Sequence, residues 1–403
     1  MAFNPLTERG IPIDKQLRNW SQLNVTPYDP ETVDPYTRCR IITMNGIEVQ
    51  SILNSHQFAR NTDNPEVKAK LAFTRRVEQQ QQKAVNWLLS GKESTIELTL
   101  AYEQVAIDLT AFLARNEPDP YIKQTLDFGL LEDFDHLYRY ANLADLIEGK
   151  KADKITRNYT EIMPGRPTIV EHRHPFDDIR CHYDCHTADP LTKLHALIIT
   201  AAEQQTMNFY MNVGPQYQEP IARALYQEIA MIEEQHVTQY ESLLDPMESW
   251  FQREVFHHYM ECYLYYSFMQ TEVDRRIKDL WELHLNQEIE HLRIAGELMK
   301  KYTGMDPEEI LPKSLPEPTR FEQNKDYVRE ILATQLDLRT MGPTFVMLDQ
   351  LPEDALYWQY QEAVNSGGFV PSEQVVKDLQ EKSGYRIAFM TEGPHPVESM
   401  REK

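Results

Sequence analysis

Glycine is scarce, with 14 in 403 residues, which leaves few of the tight turns that an all-β fold needs. Cysteine is scarcer still. Four of them, Cys39, Cys181, Cys185 and Cys262, make no disulfide framework, and reduced thiols suit a cytoplasmic chain. No apolar run approaches the ~18 residues of a membrane span and no signal-peptide pattern is present, so neither membrane insertion nor export is expected. Basic residues are outnumbered, 41 against 63 acids for a net charge of −22, which speaks against nucleic acid or an anionic membrane surface as a partner. What remains is a globular composition, 41% hydrophobic, with long helical stretches free of breakers. The expected fold class is all-α.

Against that background one pattern occurs twice, 100 residues apart. Glu103 precedes Asp133-Phe-Asp-His136 and Glu203 precedes Glu233-Glu-Gln-His236, the carboxylate-x-x-His lying 30 residues after the lone Glu in both. A spacing of i, i+3 puts carboxylate and imidazole on one helix face. Thirty residues allow half a helix, a short turn and half an antiparallel return, which sets the lone Glu opposite the pair. Two such hairpins would converge four carboxylates and two histidines on one core.

The tripeptide interval alone is common: composition gives about two of the 13 histidines a carboxylate three residues upstream, and six have one, at His136, His174, His236, His257, His291 and His395. Glu362 with Glu392 and His395 even repeats the longer interval, but Gly393, Pro394 and Pro396 forbid a helix there. Context separates the two main copies from this decoy. Ser94-Thr-Ile-Glu97 is a capping box opening a helix to about Arg115, with Ile96, Leu100, Ala101, Val105, Leu109 and Phe112 inward. Asp119-Pro120, Asp189-Pro190 and Glu219-Pro220 open three more, ending near Glu148, Val213 and Asp245. Both copies also share Ala-x-Glu-Gln around the lone Glu, and His-x-x-x-Tyr-x-x-Leu-x-Asp from the histidine on.

With these residues the chain resembles the ferritin-like di-iron carboxylate superfamily, whose signature is Glu then Glu-x-x-His, twice, on a four-helix bundle. The resemblance covers roughly residues 94–245; it departs from the family pattern at Asp133, where Glu is usual. It implies a bundle with a long crossover between its second and third helices, matched by the Pro-rich residues 149–189. It further implies that Glu103, Asp133, His136, Glu203, Glu233 and His236 hold two iron ions, or a manganese–iron or dimanganese pair, with one bridging carboxylate from each half. Glu132 is the fallback ligand if its helix rotates, and otherwise a supporting or surface acid. Tyr140 and Tyr240, one turn beyond each histidine, are candidates to pack beside the metals or simply to fill the core.

The activity implied is that of an oxidase or oxygenase activating O2 to oxidise a small or medium organic molecule, with any electrons supplied by an external donor or by the substrate. Gly129, one turn before Asp133 where the other copy has Ile229, is expected to leave a gap beside the metals for substrate. The alternative is a ferritin-like protein for metal handling, peroxide removal or scaffolding. A homodimer is expected.

Outside the bundle, residues 1–64 read as an extended, Pro-interrupted arm. Residues 65–245 are the bundle with a Gln-rich flanking helix, 246–302 a long helical hairpin packed on it, and 303–403 short helices and a tail. The hairpin carries Glu254, His258 and Glu261 on one face and His284, Glu288 and His291 on another. They are read as surface or interface side chains, with a second metal site as the alternative. The crossover carries His172, His174, Cys181, His182, Cys185 and His186, expected to pack over or gate the bundle, with metal binding as the alternative.

Overall fold

The computed structural model describes residues 3–384 and 391–401. In chain order its helices are α1 (Trp20–Leu23), α2 (Pro35–Arg60), α3 (Pro65–Asn86), α4 (Thr95–Asn116), α5 (Pro120–Glu148), α6 (Ala152–Thr156), α7 (Pro190–Val213), α8 (Pro220–Glu241), α9 (Trp250–Thr271), α10 (Arg275–Thr303), α11 (Lys325–Gln335), α12 (Leu356–Asn365) and α13 (Pro371–Ser383). Between α11 and α12 lies an antiparallel hairpin of β1 (Leu338–Met341) and β2 (Thr344–Met347), Leu338 opposite Met347. The fold is therefore all-α, and among the described residues no helix is long and apolar enough to cross a membrane.

Two compact units divide the chain. Unit 1 comprises Met1–Lys92, Tyr183–Ala201 and Asp245–Arg320; unit 2 comprises Glu93–His182, Ala202–Leu244 and Phe321–Lys403.

In unit 2, α4 starts at the expected capping box: the Ser94 hydroxyl accepts from the Glu97 amide, and the Glu97 carboxylate accepts from the Ser94 amide at 2.7 Å. Asp119 caps α5 by accepting from the amides of Tyr121 and Ile122 at 2.8 and 3.1 Å, Pro120 fits the first turn, and Gly149 ends the helix at φ 65°. Helix α4 packs along α5, and α5 meets α8, α11 and α13. Leu100, Ile107, Leu130, Phe134, Leu137, Leu225 and Ile229 fill the core between them. Residues 149–189 are irregular apart from α6 and two 3-10 turns. They are tied to α5 by Asp135, which accepts from the amides of Gly165 and Thr168 and from the Thr168 hydroxyl at 3.0, 2.9 and 2.7 Å. Only glycine fits at 165, since a Cβ there would sit 2.7 Å from the Leu131 carbonyl oxygen.

Unit 1 differs from the sequence reading. Residues 35–60 are the long helix α2 rather than part of an extended arm: Asp34 accepts from the Tyr36 amide at 2.9 Å, and Pro35 begins the first turn. The helix was hidden because residues 35–48 are buried all round, so it has no polar face and no period to read. Helices α3, α9 and α10 join it: α2 packs with α3 and α9, and α10 packs with α9 and α3. The Gln-rich helix and the 246–302 hairpin thus form, with α2, a four-helix unit rather than flanking additions. Phe58, Val67, Leu71, Ile294 and Leu298 make an apolar cluster within it. The short helices expected within 303–403 are α11–α13, and with the β1–β2 hairpin, which the sequence reading lacks, they belong to unit 2; residues 385–390 and 402–403 lie outside the described residues.

Candidate metal centre

Unit 2 brings the two repeated patterns together. Glu103 on α4, Asp133 and His136 on α5, and Glu233 on α8 place one ligand atom each within 4.8 Å of one another; so do Asp133, Glu203 on α7, Glu233 and His236. The two quartets share Asp133 and Glu233, one carboxylate from each half. All six side chains are at most 1% exposed.

Both imidazoles are oriented by a carboxylate on their far side. His236 Nε2 lies 2.7 Å from Glu132 Oε2, and Glu132 is pinned by Arg173 Nη1 at 2.7 and 3.0 Å and by Arg166 Nη1 at 3.1 Å. A carboxylate held by two guanidiniums stays ionised, so it accepts the Nε2–H and turns Nδ1 inward, 3.3 Å from Asp133 and 3.4 Å from Glu233. His136 Nε2 meets Glu171 at 2.9 Å while its Nδ1 lies 3.1 Å from Glu233. This carboxylate–imidazole arrangement is the one that fixes the tautomer and raises the basicity of a metal-binding histidine. Glu132 thus supports His236 rather than replacing Asp133. Glu171, Arg166 and Arg173 escaped the sequence reading because irregular loop residues carry no period. Their one signal was Glu171-x-x-His174, whose imidazole instead accepts from the Phe176 amide.

The donor set fits a pair of cations. Both oxygens of Asp133 and Glu203, one oxygen each of Glu103 and Glu233, and His236 Nδ1 are buried without a hydrogen-bond partner, an arrangement costly to leave uncompensated. In the absence of cations protons must do the compensating. Burial pushes the Glu103 and Asp133 carboxyls well above the usual carboxylate range and Glu203 up to about 7. Burial acts against the imidazolium form, but Glu171 and Glu233 at His136, and Asp133 with Glu132 at His236, outweigh it and raise both well above 6.5. For Glu233 burial is outweighed by hydrogen bonds from His136 and His236, which hold it at about 2.

Tyrosines line the site. The Tyr210 hydroxyl donates to Glu103 Oε1. Tyr140 stands between Tyr210 and Tyr226, ring centres 5.2 and 4.8 Å away, and Tyr240 lies 6.3 Å from the His236 ring. Gly129 does not open a substrate gap as expected: a Cβ built on it would be 2.2 Å from the Tyr240 hydroxyl, so that phenol fills the space. A cleft of about 260 Å³ lies elsewhere, lined by Tyr210, Met211, Gly214, Pro215, Arg223 and Tyr226.

The residues weighed as a second site are buried in unit 1, not on a surface. Glu78, His258, Glu288 and His291 form one close group and Glu48, Glu261 and Glu288 another. Glu254 instead accepts from Asn54 Nδ2 at 2.8 Å, and His284 Nδ1 faces the Tyr265 hydroxyl at 3.0 Å. Glu48 and Glu78 went unnoticed although they too are 30 residues apart, because Gln81 occupies the position where the pattern has His.

The crossover cluster is not gathered. Cys181 is exposed and thiol-bearing, His172 faces Glu228 at 3.6 Å, and among the described residues only Cys185 of the six joins a potential ligand group, with Asp184 and Asp245. No family model, curated protein or solved structure matches this chain.

Proposed function

We propose that unit 2 is a ferritin-like two-metal carboxylate centre and that the protein is an oxidase or oxygenase using O2 to oxidise a small organic molecule. The observation that carries the metal reading is the pair of quartets sharing Asp133 and Glu233. Glu103 and His136 would hold one ion, Glu203 and His236 the other, and Asp133 and Glu233 would bridge. Two iron ions, or a manganese–iron or dimanganese pair, would supply the electrons and Lewis acidity for O2 chemistry.

The chain's own residues do the rest. Glu132 and Glu171 hold the imidazoles in the binding tautomer. Glu103, Asp133 and Glu203 release protons as cations enter, which matches the donor charge to the ions. Tyr240, packed against Gly129, closes one side to water, and Tyr210 separates Glu103 from the 260 Å³ cleft. A cleft of that size takes a small substrate, and its contents would lie one phenol away from a ligand. Electrons beyond those of the substrate would come from an external donor. Metal handling or peroxide removal is the second reading, favoured by the filled space at Gly129.

The test is metal content per chain after expression with iron and with manganese, followed by O2 uptake of anaerobically Fe(II)-loaded protein with and without reductant. About two ions attributable to unit 2, lost together with O2 uptake in His236→Ala and Glu203→Ala, are expected. Full loading in both variants would overturn the ligand assignment; loading without O2 uptake beyond iron oxidation would favour metal handling.

A further inference from the structure

We propose that unit 1 binds a single transition-metal ion on Glu78, His258, Glu288 and His291, a mononuclear site of two imidazoles and two carboxylates separate from the two-metal centre. The four come from α3, α9 and α10, with one ligand atom of each within 4.8 Å of the others.

The orientation of His291 carries the argument. Gln16 is fixed by donating its Nε2 protons to the backbone carbonyls of Ile11 and Gln287 at 2.7 and 3.2 Å. Its Oε1 is then the atom 2.7 Å from His291 Nε2, and as an acceptor it requires Nε2 to carry the proton. The lone pair of the neutral ring is left on Nδ1, which faces Glu288 Oε1 at 2.9 Å without a hydrogen bond. A lone pair aimed at a carboxylate inside a fully buried site is repulsive, and a cation held by both removes the conflict as a proton would. His258 Nδ1 faces the same group, hydrogen-bonded to Glu288 at 3.1 Å and Glu261 at 3.2 Å and 3.5 Å from Glu78, and both Glu78 oxygens are buried with no hydrogen-bond partner.

One ion, rather than two, follows from what occupies the rest of the cavity. The histidine that a second ion would need is replaced by Gln81, which donates to Glu288 Oε1 at 2.8 Å. The remaining acids, Glu48 and Glu261, offer oxygen alone. Glu48 already accepts from the Tyr265 hydroxyl, and His284, the other imidazole of α10, is turned to that same hydroxyl. Two nitrogens and two oxygens suit Zn²⁺, Co²⁺, Mn²⁺ or Fe²⁺, in contrast to the all-oxygen sets of Mg²⁺ and Ca²⁺.

Metal per chain of the full-length protein, loaded with Co²⁺ and separately with Zn²⁺, tests this in wild type, His291→Ala and Gln16→Leu. His291→Ala should carry one ion fewer than wild type, whatever unit 2 holds. Gln16→Leu removes the acceptor but no ligand, and should weaken that one ion about 10- to 100-fold while leaving the others unchanged. Helix content by circular dichroism guards against loss of fold, and Gln16→Leu gives the answer if His291→Ala does not fold. Equal metal content and affinity in all three proteins, or loss of two ions with His291, would overturn the proposal. Failure of the unit 2 reading is distinct, because wild type would then hold one ion and His291→Ala none.

Discussion

Replacing Glu132 and, separately, Glu171 by Gln distinguishes two acids that serve sister histidines in different ways. Glu132→Gln keeps the shape but removes the charge facing Arg173, Arg166 and His236. Arg173 retains Asp178 at 2.6 Å, whereas Arg166 keeps no carboxylate among the described residues, but the backbone carbonyls of Phe128 and Gln335 at 3.3 Å and Leu336 at 3.4 Å and the Phe128 ring at 4.1 Å. Removing one member of a buried ion pair costs about 3–5 kcal/mol, and the surviving Asp178 contact sets the lower end, about 3 kcal/mol, as the expectation. Among the described residues no arginine donates to the Glu171 carboxylate, Arg173 reaching only its backbone carbonyl at 3.2 Å; one carboxylate oxygen has no partner, and burial pushes the group up to about 8. No guanidinium is left unpaired there and His136 keeps Glu233 at 3.1 Å, so Glu171→Gln should cost less, about the 1 kcal/mol of one hydrogen bond. Both changes loosen an imidazole, and both should weaken metal binding about 10- to 100-fold. Amide exchange of α5 in the metal-free proteins reads the first quantity and calorimetric Mn²⁺ titration the second. Equal stability losses in the two variants, or metal affinity unchanged in both, would refute the reasoning.

Metal-free protein should lose stability in unit 2 as pH rises from neutral to alkaline. The raised histidines stabilise fully below about 6.5 and lose that contribution as pH passes their folded values, and the raised acids Glu103, Asp133 and Glu203 have the same sign, Glu203 between about 4.5 and 7. Glu233, held at about 2, acts oppositely and matters only in strong acid. Metal-loaded protein should lack the alkaline decline and release protons on loading at pH 7, seen as buffer-dependent binding enthalpy. Gly129→Ala should cost about 1–3 kcal/mol by overpacking against Tyr240, less the ~0.5–1 kcal/mol that Ala gains in a helix. Combined with Tyr240→Phe, most of that loss should vanish, and strict additivity in the double-mutant cycle would contradict the contact. His395, which meets the Pro164 carbonyl at 2.7 Å, should be replaceable by Ala with metal content unchanged, in contrast to His236.

Unit 2 was legible because its information is local and redundant: Ser94, Asp119 and Gly149 mark helix ends, and one interval recurs around two histidines. Unit 1 was legible only in pieces. A helix buried on every face, such as α2, presents no contrast between sides, and a pattern keyed to histidine passes over Glu78-x-x-Gln81. The residues that steer the imidazoles were invisible for a further reason. Glu171 and Arg173 act from an irregular segment whose path is set by contacts such as Gly165 against Leu131, which no spacing encodes. Gly129 shows the converse: the missing side chain is plain in the sequence, but what fills its place, Tyr240, comes from another helix 111 residues later.

The two units also differ in when they can exist. Helix α3 ends at Asn86 and α10 begins only at Arg275, an interval of about 10–40 s at ribosomal rates of ~5–20 residues per second. Through that time the first hairpin of unit 1 carries Glu48 and Glu78 with nothing from α9 or α10 to face them. All four helices of the unit 2 centre are meanwhile complete by Glu241. A chain stalled near residue 245 would carry every proposed ligand of the unit 2 centre but only Glu78 of the four proposed in unit 1.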